Sequence, residues 1–305
     1  MFGKTRAFML RHARPLDLAR WRYHFENGSR EDILSALSAY QNEDGGFGHA
    51  LEPDCFNPAS SPLQTWMATD ILREVGMDDA QHPIVTGIVR YLACGAAFDG
   101  HLWHRTVPTN DDYPHAPWWT HGPHPANEYN PTASLAGFLL RFAAPQSEAY
   151  ALGARIAGEA YAYFAAHAPL SDMHTAACFL QLYEDLQMAG GYDGISMDAF
   201  AGLLCAQADA LIEKDTAKWA TEYVCKPSQL LLRGAWLVGR CREAALDECR
   251  MIERTQEEDG AWPITWNWYA YPESWPVAKN WWRGDVAVKN MLFMRSVCGK
   301  MEVPY

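Results

Sequence analysis

Two segments far apart in this chain share one residue pattern, and that pattern limits the folds that the chain can adopt. Residues 41–47 read QNEDGGF, and residues 256–262 read QEEDGAW. Each segment has a Gln, three residues that include two or more acids, a Gly, one further residue and an aromatic side chain. Each also follows a stretch in which apolar residues have helical spacing. Self-similarity at separate positions indicates a repeated structural unit, here a helix that ends in a glycine turn.

Helical spacing of apolar residues continues along almost the whole chain, and no strand-like alternation exceeds four residues. The sequence therefore predicts an all-α fold. The best-marked helix start has Ser61 as N-cap, Pro62 at the first helical position and Gln64 closing a capping box. A stripe of apolar residues at 33–40 predicts the helix before it. Further helices are predicted at 16–26, 84–94, 131–143, 147–167, 171–188, 197–213, 227–239, 242–257 and 284–298.

Three connections between the predicted helices are long and rich in Gly, Pro and aromatic residues. They span residues 41–60, 95–130 and 258–283. Binding and catalytic residues are often carried by loops on a rigid scaffold, so we expect the three loops to gather around one functional opening. No linker composition interrupts the chain, and we predict a single domain over residues 1–305.

Composition excludes several classes of partner. The net charge of −12 would repel nucleic-acid phosphates and anionic lipid surfaces. The N-terminal residues have neither the uninterrupted apolar stretch of a signal peptide nor that of a membrane span, so we expect a cytoplasmic protein. The eight cysteines are scattered without a C-x-x-C pair, which predicts reduced and mostly buried thiols. The remaining partner class is a small-molecule substrate.

The helix followed by Gln, an acidic turn, Gly and an aromatic residue resembles the QW repeat of squalene and hopene cyclases and the related protein prenyltransferases. Residues 41–47 and 256–262 carry the resemblance, and residues 91–103 (YLACGAAFDGHLW) form a looser copy without the Gln. The resemblance implies an α/α toroid, in which a ring of helical hairpins encloses a cavity. The Asp-x-Asp-Asp motif with which those cyclases protonate their substrates does not occur in this chain, nor is a prenyltransferase-type zinc set recognisable.

A dense polar cluster follows the first glycine turn in the segment GHALEPDC. Pro53 favours an extended conformation at Glu52, so Glu52 and Asp54, two residues apart, can project to the same side. In a water-poor cavity, repulsion and desolvation would raise the pKa of one carboxyl and create a proton donor. We predict Asp54 as the acid, with Glu52 or His49 adjusting its pKa. The alternative is that Asp54 binds loop amides and Glu52 is solvated.

The loop at 95–130 contains five of the eleven histidines, interleaved with tryptophans. Prolines stiffen this loop, and its aromatic residues would pack over a cavity, so a lid over a ligand is one interpretation. A metal site is the other, but no pair of these histidines has the H-E-x-x-H spacing of a helical zinc site. We predict no metal and no cofactor. The histidines are His101, His104, His115, His121 and His124.

Six of the 13 tryptophans lie between residues 262 and 282. Aromatic faces stabilise carbocations and also stack on sugar rings, so this segment is compatible with terpenoid and with carbohydrate ligands. The tryptophans could equally seal the last hairpin against the first. The predicted substrate-binding residues are Trp103, His115, Trp118, Asn130, Trp262, Trp266, Trp281 and Arg283.

Three functions follow as hypotheses. The first is an enzyme in which Asp54 protonates an apolar, isoprenoid-type substrate within an aromatic cavity. The second is a carbohydrate-active enzyme of similar helical-ring architecture, with Asp54 and either Glu52 or Asp285 as acid and base. The third is a non-catalytic binding scaffold, because helical repeats present concave surfaces to other proteins.

Overall fold

The computed structural model describes residues 1–123 and 129–299, and in these residues twelve α-helices and no β-strand are present. The all-α prediction is confirmed. Within the same residues, β-type pairing is limited to isolated bridges such as that between Gln41 and Phe47. The helices are α1 (Phe2–His12), α2 (Pro15–Phe25), α3 (Arg30–Ser38), α4 (Pro62–Glu74), α5 (Pro83–Ala93), α6 (Thr132–Phe142), α7 (Glu148–His167), α8 (Met173–Met188), α9 (Met197–Leu211), α10 (Pro227–Leu231), α11 (Arg242–Thr255) and α12 (Trp275–Cys298).

The helices differ from the predictions at three places. Helix α1 was not predicted, because its charges mask a short buried stripe formed by Thr5, Phe8 and Met9. Helix α12 begins at Trp275 instead of residue 284, since a proline in the first turn is compatible with a helix start. The helix predicted at 227–239 is broken after α10, and a short 3-10 turn follows at Ala235–Leu237.

The capping box predicted for α4 is only half present. The Ser61 hydroxyl accepts a hydrogen bond from the Gln64 backbone N–H at 3.2 Å. The Gln64 side chain, however, donates to the carbonyl of Asn57 at 3.0 Å instead of returning to the N-cap. A complete capping box opens α3, where Ser29 and Asp32 exchange hydrogen bonds.

The chain divides into two compact units. The central unit spans Tyr40–Leu211 and contains α4 to α9, whereas the terminal unit contains α1 to α3 and α10 to α12. The prediction of a single domain stays a prediction.

In the central unit the helices form two layers. Helix α6 packs against α4 and α8 in one layer, and α7 packs against α5 and α9 in the other. Ten of the eleven residues of α6 are buried, so α6 is enclosed on nearly every side. Small residues permit this close packing: a Cβ atom at Gly137 would lie 3.1 Å from Leu182 Cα, and one at Gly153 would lie 2.6 Å from Leu139 Cβ.

In the terminal unit α12 is the central helix, and it contacts α1, α2, α10 and α11. Its polar core is an ion network that joins α2 to α12. Asp17 accepts from Arg14 and Arg20 at 2.8 and 3.0 Å, and Arg20 also donates to Asp285 at 2.8 Å. Burial raises the pKa of Asp285, but Lys289 and Arg20 outweigh it and hold that pKa well below its usual value.

Across residues 1–123 and 129–299, none of the helices combines the length with the apolar character that crossing a lipid bilayer requires.

Candidate functional site

The two glycine turns make matching hydrogen bonds. Gln41 Nε2 donates to the Gly45 carbonyl at 3.0 Å and to the Ile84 carbonyl, in the first turn of α5, at 3.1 Å. Gln256 Nε2 donates to the Gly260 carbonyl at 3.0 Å and to the hydroxyl of Thr5, in the first turn of α1, at 2.8 Å. Each Gln thus fixes its own turn to the beginning of a neighbouring helix. The side-chain Nε2 atoms of both glutamines are thus used in structural contacts.

Two of the three long loops meet in the central unit. The Phe56 N–H donates to the Pro114 carbonyl at 2.9 Å, and the Ala116 N–H donates to the Asp54 carbonyl at 2.8 Å. We call this contact between residues 50–61 and 103–120 the loop seam. The third loop belongs to the terminal unit.

The loop seam buries both predicted acids. Glu52 is 4% exposed and Asp54 is 2% exposed. The adjacent Cys55 thiol has its pKa raised to about 12, chiefly by burial; a hydrogen bond at Asn57 opposes this, and the charges of Glu52 and Asp54 add to it. Cys55 is therefore a protonated thiol at neutral pH and not a nucleophile.

The side chain of His49 contacts the first glycine turn instead of the buried acids Glu52 and Asp54. The imidazole is exposed, and its Nε2 is 2.9 Å from Asn42 Oδ1. The backbone of His49 has a positive φ of 59°. The observed neighbour of the ring is thus an amide of the glycine turn.

Amide and imidazole side chains fill the rest of the loop seam. Asn57 Nδ2 donates to Asn110 Oδ1 at 2.9 Å, and His115 Nε2 is 3.1 Å from Thr120 Oγ1. The buried atoms without a hydrogen-bond partner among the described residues include Trp103 Nε1 and Trp119 Nε1 in the seam and Gln64 Oε1 on the adjoining helix α4. Unpaired buried polar atoms are costly.

The other predicted binding residues are distributed over both units. In the central unit Trp118 is 40% exposed, and Asn130 is buried with its Oδ1 accepting from the Cys178 thiol. Of the predicted histidines, His124 lies outside the described residues.

In the terminal unit Trp262 is buried and donates to the Ile252 carbonyl. Trp281 lies 5.7 Å from the Arg14 guanidinium. Arg283 forms ion pairs with Glu257 and Asp259.

A second polar cluster, which the sequence interpretation missed, connects α4, α6 and α8. Arg73 Nε donates to Asp185 Oδ2 at 3.1 Å, and Arg141 Nη1 lies 3.4 Å from Asp185 Oδ1. On the same helices, Gln181 Nε2 donates to Asp70 Oδ1 at 2.6 Å. We call Trp66, Asp70, Arg73, Arg141, Gln181, Glu184 and Asp185 the helix cluster.

Within the helix cluster, Glu184 has a raised pKa. Burial, together with the charges of Asp185 and Asp70, raises its pKa to about 7, and Arg73 and Arg141 oppose the shift. Glu184 and Asp70 are both half-buried. A strongly shifted pKa is typical of functional acids.

One sequence signal pointed to this cluster. The run QLYEDLQM places the adjacent acids Glu184 and Asp185 inside an otherwise apolar helix, and α4 contains Asp70 and Arg73 in the same way. Charged residues are rarely placed on enclosed helices without a partner. The pairing itself joins residues more than a hundred positions apart and could not be read from local spacing.

Comparison with protein-family models, with curated proteins and with solved structures finds no match to this chain. Across the described residues, no three or more His, Cys, Asp and Glu side chains are grouped so as to hold a metal ion.

Proposed function

We propose that this protein is an enzyme that transfers protons through paired carboxyl groups, with Glu184 as the acid and Asp70 as its partner. The observation that carries the proposal is the helix cluster, where a carboxyl with a pKa of about 7 stands beside a second, hydrogen-bonded carboxyl. At neutral pH a substantial fraction of Glu184 is protonated, and general acids work best when their pKa is close to the working pH.

The substrate class that this chemistry fits best is a glycoside. Glu184 would donate its proton to the glycosidic oxygen as the bond from that oxygen to the anomeric carbon breaks. Asp70 would then attack the anomeric carbon, or remove a proton from the water that attacks it. Trp66, whose Nε1 donates to Gln181 at 2.8 Å, would hold Gln181 and hence Asp70 in position.

The surroundings of Glu184 favour a glycoside over an isoprenoid substrate. A cation-cyclising pocket is lined with apolar and aromatic groups, because a nearby carboxylate would capture the carbocation. The charges that act on Glu184 come instead from Asp70, Asp185, Arg73 and Arg141. Capture by a carboxylate is harmful in a cyclase, but it is a normal step in retaining glycoside hydrolysis.

We also propose that the fold is an α/α toroid. Alternating layers, with α4, α6 and α8 on one side and α5, α7 and α9 on the other, support a succession of helical hairpins. The matching contacts of Gln41 and Gln256 support two copies of one repeat. In such a ring, polar residues of enclosed helices can face a central ligand.

The test measures hydrolysis of unactivated oligosaccharides and of 2,4-dinitrophenyl glycosides over a panel of sugars. Glu184→Gln should lower turnover of the unactivated substrate by about 10²- to 10⁴-fold, because a poor leaving group needs the proton. The dinitrophenyl substrate, whose leaving group needs no proton, should be far less affected. Asp70→Asn should abolish both activities.

Glu43→Gln provides the control, since Glu43 is exposed and belongs to the same unit. Its rates should equal those of the wild type. The glycosidase proposal would be overturned if no glycoside in the panel is hydrolysed, or if Glu184→Gln affects both leaving groups equally.

A second candidate function uses the loop seam. Glu52 and Asp54 are almost completely buried, which is the condition for a carboxylic acid that protonates an apolar substrate. Incubation with squalene and with shorter isoprenoid chains, followed by mass spectrometry, tests this function. It predicts cyclised products from the wild type and none from Asp54→Asn. Unchanged substrate in both samples would exclude it.

A further inference from the structure

The terminal unit contains an open groove with a volume of about 330 Å³. Its wall consists of residues 220–221, residues 264–267 and the first turns of α12. That volume is within the range of small-ligand sites in proteins. The groove includes neither Glu184 nor Asp70, so it is independent of the proposed catalytic pair.

Two tryptophan rings in the groove are held by other aromatic side chains. Trp266 makes edge-on contacts with Tyr223 at 5.6 Å and with Trp282 at 5.2 Å between ring centroids. Trp275 packs against the buried Trp268 at 5.5 Å. Because these neighbours fix the rings, Trp266 and Trp275 are pre-ordered platforms that lose little freedom when a ligand stacks on them.

The polar part of the groove has hydrogen-bonding groups and one cation. Thr221, Thr265 and Asn267 supply hydroxyl and amide groups, and Lys279 supplies an ammonium group. No carboxylate belongs to the lining, and among the described residues no acid pairs with Lys279. The chain has 37 acidic and 25 basic residues, so this lack of a partner is not caused by a shortage of acids.

We propose that this groove binds an acidic saccharide, with its sugar faces on Trp266 and Trp275 and its carboxylate on Lys279. Flat apolar ring faces, several hydroxyl groups and one negative charge are the features that this lining complements. The site therefore supplies a binding function to the terminal unit in addition to the proposed chemistry of the central unit.

The experiment compares two tetrasaccharides by isothermal titration calorimetry with the full chain. The acidic probe alternates glucuronate with N-acetylglucosamine, and the neutral probe is the tetramer of N-acetylglucosamine. We expect the acidic probe to bind at least about tenfold more tightly, and added salt to reduce that difference. Lys279→Met should remove the preference without affecting the neutral probe, and Trp266→Ala should weaken both.

Lys4→Met is the matched control, because Lys4 is an exposed lysine of the same unit that does not line the groove. It should leave both affinities within about twofold of the wild type. Near-ultraviolet circular dichroism of each variant checks that it is folded. The proposal is overturned if neither tetrasaccharide binds, if both bind equally, or if folded Lys279→Met retains the preference. The titration is repeated with Glu184→Gln, in which groove binding should be unchanged. A failure of saccharide binding in the groove can therefore be distinguished from a failure of the catalytic proposal.

Discussion

Arg73 on α4 and Asp185 on α8 form an ion pair in which the Arg73 guanidinium donates to both carboxylate oxygens of Asp185, at 3.3 and 3.1 Å from its Nε. Asp185 is fully buried, and Arg141 of α6 is its second basic neighbour. One acid thus joins all three helices of a layer.

Removing Asp185 should therefore destabilise the fold strongly. Asp185→Asn leaves two guanidinium groups in a poorly solvated place, and the cost should be about 3–5 kcal/mol in urea unfolding. The control is Arg155→Met, which removes the exposed pair with Glu159 and should cost less than about 1 kcal/mol. Equal losses from the two variants would contradict this account.

Glu184→Gln should stabilise the protein at alkaline pH. Because the folded-state pKa of about 7 exceeds the ordinary value of 4.5, the folded state holds this proton more tightly than the unfolded state. The wild type accordingly loses stability as the pH rises from about 4.5 to about 7. Above pH 7 the Gln variant should be more stable by up to about 3 kcal/mol, and the difference should vanish below pH 4. Urea titrations at several pH values, with Glu43→Gln as a flat reference, check this.

The glycine-turn glutamines should contribute similar amounts to stability. Gln41→Ala and Gln256→Ala each leave at least two acceptors without their donor, so each should cost about 1–3 kcal/mol. Gln81→Ala, at an exposed position, should change the free energy of unfolding by less than about 0.5 kcal/mol. A neutral result at either turn would show that its hydrogen bonds do not hold the neighbouring helix.

Gly45→Ala should lower the free energy of unfolding by more than the strain of a positive φ alone would. Gly45 has a φ of 95°, and a Cβ atom there would lie 2.1 Å from the Gly87 carbonyl oxygen of α5. Gly95→Ala is the matched control, because Gly95 has a φ of 77° but open space around its Cα. The control should lose about 1–2 kcal/mol from backbone strain, and Gly45→Ala should lose clearly more. If thermal unfolding shows that the two variants lose the same amount of stability, the turn can move away from α5.

Cysteine labelling should separate exposed thiols from buried ones. Cys94 and Cys298 are exposed, whereas Cys55 and Cys178 are buried, and the pKa of Cys55 is raised to about 12. Iodoacetamide at pH 8 should modify the first two within minutes and the other two only after unfolding. Peptide mass spectrometry identifies the sites, and early modification of Cys55 would show that the loop seam opens in the native protein.

Part of the structure could be predicted because its causes are local. Helical periodicity and terminal signals gave α5 to α9 to within a few residues. The start of α4 at Ser61 and Pro62 was also correct. Local sequence signals did not predict the helix segments whose formation depends on burial against the rest of the fold. The charges of α1 concealed its apolar stripe, and the tryptophans of the segment before residue 284 obscured the first turns of α12.

The sequence by itself determined an all-α chain with two matching glycine turns, since periodicity and turn geometry depend on neighbouring residues. Tertiary structure alone decided which acids share one environment. Asp70 and Glu184 are far apart in the chain, and the pKa of Glu184 reflects burial and charges contributed by three helices. Desolvation and Coulomb interactions act over a few ångströms of space, whatever the separation along the chain, and only folding establishes those distances.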